Sequence, residues 1–98
     1  MIIVRDVFQA KYGRGDELVA LFQELIPAAQ AAGMGDMRIT TDLSGRFFTV
    51  VTEEQVESLA AYEQSRDKLF AAPEFEGWFA RMTEIVESGS REFYTLVE

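Results

Sequence analysis

The chain contains no cysteine and no histidine among its 98 residues. Without cysteine there is no disulfide, no thiolate metal site and no cysteine nucleophile. Without histidine the chain lacks the commonest metal ligand and the usual general base near neutral pH. The carboxylates also form no Asp-rich loop of the EF-hand type, so we expect no bound metal.

Basic residues are scarce, with 9 Lys and Arg against 17 Asp and Glu, which gives a net charge of −8. An acidic surface repels phosphate backbones and anionic lipids, so we expect neither nucleic acid nor a membrane as a partner. Long apolar runs are missing too, because Arg5 and Asp6 interrupt the opening segment MIIVRDVFQAK. That segment is too polar for a signal peptide or a membrane span, and we expect a cytoplasmic protein.

The hydrophobic pattern predicts alternating strands and helices within a single domain over residues 1–98. A capping-box spacing from Thr52 to Gln55 favours a helix start there, Ser44-Gly45 favours a hairpin turn, and Gly89 favours a helix end. Strands are predicted over residues 2–11, 35–43, 46–52 and 91–97, and helices over residues 16–32, 52–71 and 73–89. This order predicts an α+β, ferredoxin-like βαββαβ fold: a four-stranded antiparallel sheet with helices on one face.

The two strands expected at the centre of that sheet are apolar on both faces. A sheet with one wet face should alternate between apolar and polar residues. Instead, apolar side chains occupy both sides of the first strand (Ile3 and Val7 against Ile2, Val4 and Phe8) and of the third (Phe47 and Val51 against Phe48 and Val50). We therefore expect a homodimer whose sheets pack face to face. The alternative is a monomer whose strands carry surplus apolar residues.

The segment YGRGDE, residues 12–17, joins the first strand to the first helix and contains part of a dinucleotide-binding pattern. Gly13 and Gly15 fit the start of GxGxxG, but Leu18 stands where the third glycine belongs. Asp16 and Glu17 would also repel a phosphate at the helix N-terminus. We predict a tight turn there, and no cofactor.

Arg66 is the polar residue that most needs an explanation. It interrupts an apolar helical stripe formed by Leu59, Tyr62 and Leu69. One interpretation is that its stem lies on the core while its guanidinium reaches solvent. The other is that Arg66 lies at the mouth of a pocket between helix and sheet, where it holds a carbonyl or carboxylate. A buried arginine needs a partner, and Asp6 and Asp42 are the candidates.

Further candidate ligand-binding residues are mainly aromatic. Tyr62, Trp78, Tyr94 and Phe22 are typical core residues, but together they could line an apolar cavity that admits an aromatic ligand. Asp6 lies in the middle of an apolar strand. It is either a general base or half of an ion pair with Arg38, Arg46 or Arg91.

Two stretches resemble a known superfamily. MIIVRDVFQAKYGRGDELVALF is similar to the opening of the NIPSNAP-like and antibiotic-biosynthesis-monooxygenase-like proteins of the dimeric α+β barrel superfamily. SRDKLFAAPEFEGWFARM resembles their second helical region, where an Arg-containing helix meets a Pro and an aromatic-rich segment. The resemblance implies ferredoxin-like subunits that pair their sheets, and a pocket between sheet and helices.

The resemblance also implies a range of functions, from cofactor-free oxygenases to proteins with no assigned activity. The lack of histidine speaks against the superfamily's histidine-dependent dismutases and haem proteins. We expect a homodimer that binds a small apolar or aromatic ligand. The alternatives are a cofactor-independent monooxygenase, in which Arg66 or a tyrosine orients the substrate, and a structural dimer without a pocket.

Overall fold

Four strands and three helices make up the protein in a computed structural model that describes residues 1–98. The strands are β1 (Ile2–Ala10), β2 (Arg38–Thr41), β3 (Thr49–Val56) and β4 (Val86–Thr95), and the helices are α1 (Gly15–Ala31), α2 (Leu59–Ala71) and α3 (Phe75–Ile85). The sheet is antiparallel with the strand order β2-β3-β1-β4. The predicted ferredoxin-like α+β fold is therefore confirmed, with β1 and β3 at the centre.

One face of the sheet packs against the helices. The buried core joins Ala10 of β1 and Val50 of β3 to Leu18, Leu69 and Ile85, one from each helix. None of the three helices combines the length and apolar character that a membrane crossing needs. The register places Asp6 opposite Thr52 and Arg91, and Val4 opposite Glu54. Because directly opposed residues share a face, Asp6, Glu54 and Arg91 all point towards the helices.

The opposite face, which we call the open face, carries no helix. Its apolar residues are Ile3 and Val7 of β1 and Val51 of β3, with Val7 directly opposite Val51. The ion pairs Arg5–Glu92 (3.6 Å) and Arg38–Glu53 (2.7 Å) lie on the same face. The apolar residues predicted for this face of β1 are present. On β3 only Val51 contributes, because the other predicted residue, Phe47, lies before the strand begins at Thr49.

The glycines of YGRGDE serve the turn and the packing around it. Gly13 has a φ of 82°, a left-handed conformation that glycine adopts without strain. A Cβ on Gly15 would lie 3.2 Å from Cδ1 of Phe48, so the aromatic ring occupies the space that a side chain would need. The side chain of Arg14, between the two glycines, donates a hydrogen bond of 2.7 Å from Nη2 to the carboxylate of Glu17. The predicted tight turn is confirmed.

The hairpin predicted at Ser44-Gly45 is present, and Gly45 has the expected positive φ (97°), but the connecting loop is longer because β2 and β3 pair over fewer residues than expected. The backbone N–H of Asp42 donates to the carbonyl of Thr49, and the N–H of Thr49 donates to the Asp42 carboxylate over 3.0 Å. These bonds close the hairpin around a loop over residues 43–48. Phe48 in that loop has a φ of 58°, which ends any extended strand there.

Two helix boundaries were predicted wrongly. Thr52 to Gln55 lies inside β3, paired to β1, and α2 begins after Ser58, whose hydroxyl accepts from the N–H of Ala61 at 3.1 Å. Helix α3 ends at Ile85, four residues before the predicted helix end at Gly89. Gly89 instead lies inside β4, where it pairs with Phe8. In both places strand pairing to β1 overrides the local signal for a helix terminus.

Candidate functional site

A cavity of about 300 Å³ lies between the helix-facing side of the sheet and the three helices. Most of its lining is apolar, and the polar lining is concentrated on the strands. The helices contribute Phe22, Leu25, Leu69, Phe70, Phe75, Trp78, Phe79 and Met82, and the central strands contribute Val4, Asp6, Phe8, Thr52 and Glu54. The cavity therefore has two chemically different sides, an aromatic wall and a polar wall.

The aromatic wall consists of Phe8, Phe22, Phe75 and Trp78, whose rings contact one another in a chain. The ring centroids are 5.1 Å apart for Phe8 and Phe22, 5.5 Å for Phe22 and Trp78, and 5.7 Å for Phe75 and Trp78. The indole N–H of Trp78 donates to the carbonyl of Leu21 over 2.7 Å. Since that bond satisfies the only polar atom of Trp78, the wall offers an apolar surface for a planar ligand.

The polar wall begins with an ion pair between Glu54 and Arg66. Glu54 is 4% exposed and Arg66 is 8% exposed, so both charges are buried. Nη2 of Arg66 donates to Oε1 of Glu54, and the guanidinium lies 4.5 Å from the centroid of the Tyr62 ring. Arg66 therefore does not reach solvent, and its predicted partners, Asp6 and Asp42, were wrong. Sequence reasoning missed Glu54 because the residue was assigned to a helix.

The second half of the polar wall is the pair of Asp6 with Arg91. Nε and Nη2 of Arg91 donate to the two carboxylate oxygens of Asp6 over 2.7 and 3.0 Å, which confirms the ion pair predicted as one alternative. Nη1 of Arg91 donates to the hydroxyl of Tyr62. The hydrogen bond to Asp6 raises the pKa of Arg91 above its ordinary value. Tyr62 thus links the two ion pairs.

Two atoms of the polar wall lack hydrogen-bond partners. Oε2 of Glu54 and Nη1 of Arg66 are fully buried, and neither has a bonded neighbour in the protein. Buried polar atoms are nearly always paired in folded proteins, and an unpaired one costs about 1–3 kcal/mol. The network of Asp6, Glu54, Tyr62, Arg66 and Arg91 is therefore charge-balanced yet incomplete.

The structure brings together most of the predicted site residues, but not all. Asp6, Phe22, Arg66 and Trp78 line the cavity. Tyr62 is not among the lining residues but contacts Arg66 through its ring and Arg91 through its hydroxyl. Tyr94 was placed wrongly, since it is paired with Ile3 on the open face, is 51% exposed and donates to Glu92. The register of β4 against β1 decides which face of the sheet Tyr94 occupies, and the sequence does not reveal that register.

The fold is shared with solved structures, although no protein-family model and no curated protein matches the chain. A NIPSNAP domain protein from Burkholderia xenovorans is 17% identical with a TM-score of 0.87, covering 99% of this chain and 95% of that one. A NIPSNAP family protein from Agrobacterium tumefaciens is 19% identical with a TM-score of 0.87, over 99% and 86% of the two chains. An antibiotic biosynthesis monooxygenase is 16% identical with a TM-score of 0.75, and both chains are covered completely. The resemblance noted in the sequence is thus confirmed at the level of the fold.

Proposed function

We propose that this protein binds a small, largely apolar or aromatic molecule in the cavity between sheet and helices. The observation that carries the proposal is the cavity itself, at about 300 Å³ with an aromatic wall and a polar wall. Ligand pockets combine such apolar linings with a few convergent polar groups, and their volumes start at about 300 Å³.

Calorimetry with a panel of small aromatic molecules tests the proposal. We expect at least one member to bind, and to raise the melting temperature, because a ligand that binds only the folded state stabilises it. A Leu69→Trp variant, which fills the cavity, should lose the binding. A Leu43→Trp variant makes the same substitution in the exposed loop over residues 43–48 and should keep it. Binding that survives Leu69→Trp would place the ligand elsewhere.

We further propose that two copies of the chain pack through their open faces. Ile3, Val7 and Val51 form an apolar centre on that face. Ile3 and Val7 are half-buried in the single subunit and Val51 is 9% exposed, so a second copy would remove their remaining apolar surface from water, at about 25 cal/mol per Å². The surrounding charges are already paired as Arg5–Glu92 and Arg38–Glu53. Sedimentation velocity over micromolar concentrations should show a dimer, and a monomer throughout that range would refute the pairing.

A cofactor-independent monooxygenase of the antibiotic biosynthesis type is the second candidate function. Glu54 favours it, since its unpartnered carboxylate oxygen could accept a proton from a substrate held on the aromatic wall. The substrate carbanion formed in this way would then react with molecular oxygen, with Arg66 orienting the substrate. Oxygen uptake with a set of anthrones and quinols tests this activity, and Glu54→Gln should abolish it. Ligand binding without oxygen uptake would leave the first proposal alone.

A further inference from the structure

We infer that helix α2 is a hinged lid over the cavity, which opens as a unit while the sheet, α1 and α3 stay packed. The inference goes beyond ligand binding, because it concerns the route into the cavity and not what the cavity holds. It comes from the way in which α2 is attached to the rest of the protein. Arg66, Leu69 and Phe70 of α2 line the cavity, so displacement of this helix would remove one of the cavity walls.

Helix α2 contributes little to the apolar core. Its buried residues are Ser65, Arg66 and Leu69, and of these only Leu69 belongs to the core cluster. Helix α1 contributes a longer apolar stripe to that cluster, consisting of Leu18, Leu21, Phe22, Leu25 and Ala29. Segments with few buried apolar contacts open at a lower free energy than the rest of a protein. Helix α2 is therefore the helix with the weakest apolar attachment.

The remaining attachments of α2 run to the sheet and are mainly polar. Arg66 donates to Glu54 of β3, and the hydroxyl of Tyr62 accepts from Arg91 of β4. The ring of Tyr62 also packs edge-on against Phe93, with the centroids 5.1 Å apart. No other side chain of α2 forms a hydrogen bond or an ion pair outside the helix. These contacts can all break together when α2 lifts from the sheet.

Helix α3 is attached differently, although it is shorter than α2 and also lies on the surface. The indole of Trp78 donates to the carbonyl of Leu21, and Arg81 donates to both carboxylate oxygens of Glu24. Both partners belong to α1, so α1 and α3 are fastened to each other. Helix α3 should therefore remain in place when α2 moves, which makes α3 an internal reference for that motion.

The closed position of α2 leaves two polar atoms unsatisfied. Oε2 of Glu54 and Nη1 of Arg66 are buried without partners, and both would reach water when α2 lifts. Their hydration offsets part of the cost of separating the ion pair. Extended residues flank the helix, namely Ser58 (φ −158°, ψ 166°) before it and Ala72 (φ −65°, ψ 137°) after it. Hinges commonly lie at such element-terminal residues, because these absorb the backbone rotation.

Native-state hydrogen exchange of the intact protein, followed residue by residue by NMR, tests the lid. We expect the amides at residues 65–70 of α2 to share one opening constant, at least about a hundredfold larger than that of α1. The amides in the middle of α3 should follow α1, although α3 buries only Trp78 and Ile85. Equal opening constants for α2 and α1 would overturn the inference. Exchange of α3 as fast as that of α2 would also overturn it, since both helices would then open merely because they lie on the surface.

Substitutions separate the contacts that break on opening from those that persist. Tyr62→Phe removes the hydroxyl that binds Arg91 and should raise the opening constant of α2 about threefold to tenfold. The matched control Tyr94→Phe removes a hydroxyl that binds Glu92 on the open face and should leave α2 unchanged. An unchanged α2 in Tyr62→Phe would contradict a lid tied to the sheet by polar contacts.

Ile85→Val provides the opposite case, because Ile85 is buried in α3 and does not line the cavity. Its contacts persist when only α2 lifts, so the opening constant of α2 should stay the same. The amides of α1 should exchange about twofold to tenfold faster, since they open by unfolding of the whole protein. Equal acceleration of α1 and α2 would mean that α2 opens only together with the whole fold, and the lid would be refuted.

A single introduced thiol reports access to the cavity, because the chain contains no cysteine. Leu25→Cys places a thiol on the cavity wall, whereas Leu18→Cys places one in the core outside the cavity lining. A bulky aromatic disulfide reagent should label Leu25→Cys faster than Leu18→Cys. Adding Tyr62→Phe should accelerate the labelling of Leu25→Cys by the same factor as the hydrogen exchange of α2.

The outcomes separate the lid from the ligand-binding proposal. Labelling of Leu25→Cys that does not respond to Tyr62→Phe would show a route that bypasses α2, and would overturn the role of α2 as a lid. If no probe of the aromatic panel binds, the ligand-binding proposal fails. Independent opening of α2 would then still be established by hydrogen exchange.

Discussion

The two faces of the sheet invert the usual distribution of charge. The face covered by helices has two carboxylates at its centre, Asp6 and Glu54, which pair with Arg91 of β4 and with Arg66 of α2. The open face instead has an apolar centre, with Val7 directly opposite Val51. A sheet that served only as one side of a core would bury the apolar residues and expose the charged ones.

This inversion motivates the two proposals made above, ligand binding on the covered face and subunit pairing through the open face. A buried ion-pair network adds little stability compared with apolar packing, so its presence beside a cavity favours a role in binding. An apolar centre within a ring of paired charges favours contact with a second protein surface.

Removal of one partner of the buried pair should have the largest effect. We expect Arg66→Ala to destabilise the protein by about 3–5 kcal/mol, because Glu54 is left charged and buried without its counter-ion. The double variant Glu54→Met with Arg66→Met should lie within about 1 kcal/mol of the natural protein. Urea unfolding measures both, and equal losses in the two variants would contradict a network held together by charge.

The Val7→Glu substitution should disrupt the proposed dimer contact through the open face. This change places an unpaired carboxylate in the centre of the apolar patch, and we expect the dimer dissociation constant to rise at least about a hundredfold. Val7→Thr keeps the β-branched shape and serves as the control, with a much smaller shift. Sedimentation equilibrium measures dissociation, while probe binding in the cavity should persist in both variants. A dimer unaffected by Val7→Glu would mean that the subunits pair elsewhere.

Gly89 offers a milder change on the helix-covered face. A Cβ there would lie 3.0 Å from Cδ1 of Phe8, which lines the cavity. We therefore expect Gly89→Ala to displace the Phe8 ring, to destabilise the protein by about 1–3 kcal/mol and to change probe affinity. The matched control Gly77→Ala meets no atom within 4 Å and lies inside α3, so it should stabilise the protein by about 0.5–1 kcal/mol. Thermal unfolding of the two variants should thus shift in opposite directions.

The smallest effect concerns the exposed ion pair of Arg81 with Glu24, which joins α3 to α1. The hydrogen bond from Arg81 lowers the pKa of Glu24 below its ordinary value of 4.5. A carboxylate with a lowered folded-state pKa stabilises the fold above its unfolded-state pKa, and this contribution is lost as the pH falls through the folded-state value.

Arg81→Ala should therefore reduce the melting temperature slightly at pH 7 and not at all near pH 3. Both charges are exposed, so the difference at pH 7 should also shrink in high salt. Melting curves of the two proteins across this pH range provide the measurement. A difference that persists at pH 3 would mean that the Arg81 side chain acts through packing rather than through charge.

Local patterns in the sequence predicted several of the strands and helices. The apolar run at residues 2–11, the helical stripe after Gly15 and the Pro73 break between two helices correspond to β1, α1 and the α2–α3 junction. The topology followed from the order of these elements. By contrast, the boundaries of β3 and β4 did not follow, because each is set by pairing with β1, a partner distant in the chain.

The candidate site shows the same division. Arg66, Asp6, Phe22 and Trp78 could be selected by type and spacing, because a charge inside an apolar run and aromatic residues on helix faces are visible locally. Glu54 could not, since nothing within residues 52–55 separates a capping box from a strand. Tyr94 was misplaced for the same reason, as one residue of register in β4 decides which face it occupies.

The sequence by itself determined the class of fold, the absence of cysteine and histidine chemistry, and the presence of charges that had to be paired once buried. Only the tertiary structure decided that Glu54 binds Arg66, that Asp6 binds Arg91, and that a cavity lies between this network and Trp78. Hydrophobic periodicity is a property of neighbouring residues and can be read along the chain. Ion pairs and cavities arise where distant segments meet, and strand register sets which side chains face each other there.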